Sequence, residues 1–412
     1  MKKKLFLICF GLAIIIVSLA ASNLFIPSRP LSLDDLLVRW LILPGRFFIP
    51  ELNPGGRGPE QELRINPELV RLNNKPRHFN REKAPGVFRI FCIGGSTTQG
   101  WPFQHVLSYP DLLGLELKDV LPNRRIEVIN AGVVGSDSFS DIPLLKQLLQ
   151  YDPNLILIYE GRNEPFHAPL HLGFRAKLLI PHFWLLLHLH LYRYIRYWIS
   201  PNPTFTLAAP IRKWAGQSLP ANYKDLTRRQ MLENLTRMIH LARRGHCTVM
   251  LITQVRDFRD PEDNWLKDYN NSIRRLAAAQ HVPVIDASQA FRSYHGGSGP
   301  IFLSYLWHPD MAGYFLIAQT AVRSLARSGL LAPAKDWRWR RQKGELDYLR
   351  TLSVTPQSLG GAYTFLSTVC LNLRQGFHQL PILRNKYKIL ARQYERLAVN
   401  LKRKGWTALP RY

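Results

Sequence analysis

Disulfide chemistry and acidic side chains are what this chain of 412 residues has least of. It carries four cysteines: Cys9 in an apolar segment, Cys92 and Cys247 in or beside predicted buried strands, and Cys370 in a predicted helix. That number and placement exclude a disulfide framework, and all four are expected to be free and structural. Only 29 Asp and Glu stand against 55 Lys and Arg, for a formal net charge of +26. Such an excess attracts nucleic acid, lipid headgroups or acidic polysaccharide. No helix-turn-helix, zinc-finger or RNA-recognition signature is present, so nucleic acid is the least supported of the three. Metal ligands are also lacking. His182, His188 and His190 have no carboxylate or thiol partners at ligand spacing, so no metal site is expected.

What is present begins with a membrane signal. Met1-Lys2-Lys3-Lys4 precedes an apolar, uncharged run from Leu5 to Ala21, and a basic start before such a core directs a chain to the membrane with the lysines on the cytoplasmic side. The run lies at the short end for a spanning helix. Ser18, Ala20, Ala21 and Ser22 could form a cleavage site; residues 1–22 are read as an uncleaved anchor in preference to a removed signal. In either case the rest of the protein is expected on the extracytoplasmic side. Residues 23–85, rich in Pro, Gly and Asn, are expected to form an extension packed loosely on the main domain or the membrane surface.

From Val87 the pattern alternates. Apolar runs at Phe88–Ile93, Glu127–Asn130, Leu155–Tyr159, Thr248–Thr253 and Val282–Ile285 read as short strands. Helical spacing follows at Leu107–Val120, Phe139–Gln150, Lys224–Arg244, Trp265–Gln280 and Met311–Ser328. Five strands alternating with helices predict a parallel sheet covered on both faces, over residues 86–330.

An insertion at about 165–220 interrupts this domain. It has no Asp or Glu, and it places Trp184, Leu187, Leu191, Tyr194, Ile195 and Trp198 on one helical face with cations elsewhere. Such a helix suits a bilayer interface, or equally a lid packed on the protein's own core. Residues 331–412 are mostly helical in pattern and strongly basic, with 16 Lys and Arg against 4 Asp and Glu from 335 onward. Tyr363, Phe365, Leu366, Tyr387, Leu390 and Tyr394 are expected to form the seam of a small helical bundle. Its basic face is either simply solvated or in contact with anionic lipid or glycan.

Four segments fall at the carboxyl ends of successive predicted elements: Gly94-Gly95-Ser96-Thr97-Thr98, Asn130-Ala131-Gly132, Gly161-Arg162-Asn163-Glu164 and Tyr305-Leu306-Trp307-His308-Pro309-Asp310. In an open parallel sheet such ends converge on one crevice. Acyl transfer needs a nucleophile, a base and oxyanion donors, and these segments offer each. The Gly-x-Ser-x-Gly elbow does not fit, since Thr98 stands where its second glycine would be, and no Lys precedes Ser96 as a phosphate loop requires.

In order and content the segments resemble the SGNH (GDSL-type) hydrolase superfamily, in particular membrane-anchored bacterial members, over about residues 85–328. The resemblance implies a flavodoxin-like three-layer α/β/α fold with a five-stranded parallel sheet, here flanked by an amino-terminal membrane segment and a carboxyl-terminal helical extension. It implies Ser96 as nucleophile and first oxyanion donor, Gly132 and Asn163 as further donors, and His308 as general base. No metal or organic cofactor is implied. The chain departs from the family at Tyr305, where an Asp usually stands three residues before the His. Three outcomes are open: a Ser96–His308 dyad suffices, another acid such as Asp310 or Glu164 reaches His308, or activity is lost. Tyr305 and Asp310 are thus the candidate third members. The expected protein is a membrane-anchored esterase acting on O-acylated envelope glycan or lipid. An O-acyltransferase with the same site and an inactive binding or scaffold protein are the alternatives.

Overall fold

The computed structural model describes residues 48–50, 62–65, 78–103, 106–172, 219–256, 264–294, 302–303, 308–376 and 381–408. The chain divides into two compact units, one of residues 46–163 and 230–412, the other of residues 1–45 and 164–229. The predicted anchor at 1–22 and most of the insertion, including its apolar face and three histidines, lie outside the described residues. Among the described residues no helix is long and apolar enough to cross a membrane.

The larger unit opens with three short strands, β1 (Phe48–Pro50), β2 (Glu62–Ile65) and β3 (His78–Asn80), paired antiparallel in that order. The expectation of loose packing fails here. Leu63 and Phe79 are buried, and Phe79 meets Phe91 edge-on at 5.5 Å. Arg89 secures the junction: its guanidinium is 1% exposed and donates to Glu127 Oε2 (2.7 Å), to the Tyr151 carbonyl (2.9 Å), and to the Asn80 (2.7 Å) and Arg81 (3.2 Å) carbonyls.

The main sheet is built from β4 (Val87–Gly94), β5 (Arg125–Asn130), β6 (Leu155–Tyr159), β7 (Thr248–Ile252) and β8 (Val284–Ile285). All pairings are parallel and the order is β5-β4-β6-β7-β8, the doubly wound order of flavodoxin-like folds, as expected from the resemblance. The register pairs Cys92 with Asn130 and Gly94 with Tyr159, so the three strands end at one level. Residues alternate between faces: Ile90, Cys92, Leu155, Leu157, Met250 and Ile252 belong to one continuous core, and Phe91, Ile93, Ile156 and Leu251 are buried outside it.

Helices follow the strands: α1 (Ser96–Gln99), α2 (Tyr109–Val120), α3 (Ser138–Leu148), α4 (Glu164–Leu172), α5 (Tyr223–Arg244), α6 (Trp265–Ala279), α7 (Ala287–Arg292) and α8 (Met311–Ser328). Two differences from the predicted bounds have local causes. Helix α2 starts at Tyr109 rather than Leu107 because the Ser108 hydroxyl accepts the Asp111 N–H as an N-cap. Helix α3 starts at Ser138, where Asp137 and Ser140 form a reciprocal capping box. Asp286, expected as a turn or cap, caps α7 through the Gln289 N–H and is gripped by the Arg274 guanidinium.

The carboxyl-terminal region is not a separate bundle. Helices α9 (Glu345–Thr351), α10 (Pro356–Gly376) and α11 (Pro381–Lys404) place Tyr348, Leu349, Tyr363, Leu366, Leu390 and Tyr394 in the same core as β4, α2 and α8. Phe365, expected in the seam, is 41% exposed, and the Tyr387 side chain lies outside those described. Cys92, Cys247 and Cys370 are free and buried, and burial pushes the Cys247 thiol up to about 12 and Cys370 to about 11. Cys9 lies outside the described residues.

Candidate active site

The site lies where β4, β5 and β6 end. Gly94 has φ +148°, and a Cβ there would stand 2.4 Å from Thr98 Oγ1 and 2.6 Å from the Tyr159 carbonyl. Only glycine allows the chain to leave the sheet so sharply and enter α1 at Ser96. Ser96 is the first residue of that single turn, so its N–H has no intrahelical acceptor. Its carbonyl accepts the Gly100 (3.0 Å) and Trp101 (2.9 Å) amides.

His308 reaches the same point from the opposite direction. It pairs in a short antiparallel ladder, β9 (Phe302–Leu303) with β10 (His308–Pro309), and α8 follows at once. Ser96 Oγ lies 2.6 Å from His308 Nε2, across 212 residues of sequence. With the ring proton on Nδ1, the serine hydroxyl donates to Nε2. Both residues are half-buried, so the pair is open to an incoming molecule.

Asn163 closes a third side. Its Nδ2 donates to the Ser136 carbonyl at 2.6 Å, leaving the amide's second N–H available. A Cβ on Gly95 would fall 2.8 Å from that Nδ2 and 3.5 Å from the Ser136 carbonyl oxygen, so Gly95, Asn163 and the 133–136 turn are in close mutual approach.

Gly132 does not have the place expected of it. Its N–H donates to Asn130 Oδ1 at 2.9 Å, and the residue is buried with its Cα against the Thr98–Gln99 peptide. The amide is committed to an Asx-type turn and cannot also face a substrate oxygen. Asn130 is a bracing residue that sequence reasoning missed, since its Nδ2 also donates to the Thr98 carbonyl (2.7 Å) and Ser108 Oγ (2.9 Å). Gln99 was missed too, and its Oε1 accepts the Val134 N–H at 2.7 Å. The other glycine of this segment is Gly135, which precedes the Ser136 that Asn163 contacts; it has φ +73°, is half-buried, and its N–H meets no acceptor among the described residues. A glycine directly before Ser136 was the available sequence signal, since its positive φ is one that glycine alone adopts freely.

Asp310 is buried and its Oδ1 accepts the Gly313 N–H at 2.9 Å as the N-cap of α8. The structure thus gives this candidate third member a helix-capping task. Tyr305 lies outside the described residues. Behind the 133–136 turn, the Ser136 hydroxyl donates to Glu160 Oε1 at 3.1 Å. Asp141 is fully buried, and burial holds its carboxyl well above the usual aspartate range. Among the described residues no group of three His, Cys, Asp or Glu is placed to hold a metal.

The serine, imidazole and amide so arranged are the parts of a serine-dependent acyl hydrolase. The chain belongs to the GDSL-like Lipase/Acylhydrolase family, whose pattern matches residues 92–316. Among solved structures it is similar to Axe2, an acetylxylan esterase from Geobacillus stearothermophilus, at 16% identity with a TM-score of 0.39, covering 58% of this chain and 94% of that one. It is also similar to LAE5, an alpha/beta hydrolase enzyme from the metagenome of Lake Arreo, Spain, at 18% identity with a TM-score of 0.40, covering 60% and 97%. No curated protein matches the chain.

Proposed function

We propose that the protein is a membrane-anchored ester hydrolase using Ser96 as nucleophile and His308 as general base. The 2.6 Å approach of Ser96 Oγ to His308 Nε2 carries this reading. As Oγ bonds to the ester carbonyl carbon, its proton passes to Nε2, and the carbonyl oxygen becomes an oxyanion. The Ser96 N–H, the second Asn163 amide N–H and the Gly135 N–H are the donors assigned to that oxygen, Gly135 replacing Gly132. His308 then protonates the leaving alkoxide, giving alcohol and an acyl-serine. Water attacks the acyl-serine, losing its proton to Nε2, and Ser96 is regenerated with release of the acid.

The substrate proposed is an O-acylated glycan or a lipid of the cell envelope. The amino-terminal apolar run supports a position at the membrane with the enzyme domain on its extracytoplasmic side, and the +26 charge favours an anionic surface there. Replacing Ser96 by Ala is expected to abolish both turnover of a small acetyl ester and labelling by a fluorophosphonate probe. Undiminished labelling of that variant would sink the assignment. Glycan binding by a wild-type protein that is never labelled would mark a binding protein instead.

A further inference from the structure

Trp101 lies directly against the imidazole. Its ring centroid is 4.6 Å from that of His308, with the planes tilted by 53°. The residue is fixed at both ends of its backbone: its N–H donates to the Ser96 carbonyl at 2.9 Å, and its carbonyl accepts the Tyr314 hydroxyl at 2.6 Å. Phe365 of α10 also packs against it, 6.3 Å away and edge-on at 73°. Phe103, two residues on, meets Tyr314 at 6.2 Å and Tyr363 at 5.5 Å, so the segment is held by aromatic contacts from α8 and α10 together.

We infer that Trp101, packed against both His308 and Phe365, is a positioning residue for the general base, holding the ring in register with Ser96 and favouring its imidazolium form. The inference rests on the Ser96–His308 reading. A tryptophan face attracts a cation, so contact with the ring stabilises the charge His308 acquires when it takes the serine proton. That is a share of the task an aspartate performs in most serine triads. Of the other titratable groups where these elements meet, Asp310 commits Oδ1 to the Gly313 N–H, and the Tyr314 hydroxyl is committed to Trp101. This packing also explains why an exposed ring on the carboxyl-terminal helix has a place near the chemistry. Phe365 and Tyr363 lie beyond residues 92–316, so part of the support for the base comes from outside the family-matched segment.

The test is the pH dependence of small acetyl ester hydrolysis by Trp101→Leu, Trp101→Phe and Phe365→Ala. Trp101→Leu is expected to lower kcat about 10- to 100-fold with KM within about twofold, and to move the acidic limb of the pH profile down by about half a unit to one unit. Trp101→Phe should restore most of kcat, and Phe365→Ala should show a smaller loss of the same kind. Wild-type kcat and an unmoved limb in Trp101→Leu overturn the inference, as does a loss confined to KM, which marks a substrate contact. If Trp101→Leu does not fold, Phe365→Ala decides alone: the ring is partly exposed and its removal should leave the fold intact, so unchanged kcat overturns the inference. Failure of the hydrolase reading is separate, since it appears as full turnover in Ser96→Ala.

Discussion

At the scale of single residues, the site is set by where a side chain is missing as much as by where one is present. Gly95 leaves the space that Asn163 Nδ2 occupies, because a methyl there would lie 2.8 Å from the nitrogen. Gly95→Ala is therefore expected to displace Asn163 and reduce kcat by about 10- to 100-fold, with KM little changed and the melting temperature almost unaltered. Asn163→Ala should cost about 10²- to 10³-fold in kcat, the usual loss for one oxyanion donor. Steady-state kinetics on a small acetyl ester check both. Ser96 and Asn163 were legible because each follows a predicted strand and carries a suitable chemical group, and His308 because it stands just before a predicted helix at Met311. The choice between Gly132 and Gly135 was not. It depends on the Asn130 side chain folding back onto the Gly132 amide, and an Asn two residues before a glycine suggests such a turn without requiring it.

At the scale of elements, the five strands and the main helices of the sheet domain were legible from periodicity, although β5 starts two residues earlier and β8 two residues later than expected. Arg89 was not. It sits inside an apolar run that reads as a uniformly buried strand, and its partners come from residues 80, 81, 127 and 151, which no local pattern links. Helix α2 holds a second surprise in Glu116. This carboxyl is buried, with Oε2 accepting from Gln342 Nε2 at 2.9 Å, and burial pushes it up from 4.5 to about 8, against the pull of Gln342 and Arg323. In the unfolded chain it ionises near 4.5, whereas in the folded protein it keeps its proton to about pH 8. Its contribution to stability is thus full below the lower value and is lost as pH rises between the two. Glu116→Gln should melt at the wild-type temperature near pH 4 and above it at pH 8, as thermal unfolding at the two pH values will show.

At the scale of the whole molecule, the sequence suggested a sheet domain with appended ends, whereas the carboxyl-terminal helices share the core that covers one face of the sheet. The appended appearance arose because α10 and α11 lie beyond the last strand-helix repeat, and nothing in their spacing tells which surface their apolar faces meet. Leu366 is fully buried in the core that also holds Phe103 and Tyr314. Leu366→Ala is expected to destabilise the larger unit by about 2–5 kcal/mol, and to do so in a single transition monitored together at the sheet and at the carboxyl-terminal helices. Two separate transitions, with activity surviving the first, would show the helices to be dispensable.

The buried guanidinium of Arg89 decides where an autonomous piece of this protein can be cut. Two of its carbonyl acceptors belong to Asn80 and Arg81, upstream of the first sheet strand, and Phe79 lies against its charge at 5.2 Å. A chain begun at Val87 would keep every strand of the parallel sheet yet strand a cation in its interior, at about 1–3 kcal/mol or more for each donor left unsatisfied. The minimal autonomous unit is accordingly longer at its amino end than the family-matched segment, which starts at residue 92, and a domain begun at Val87 is expected to arrive insoluble unless Arg89 is replaced to match the residues it has lost.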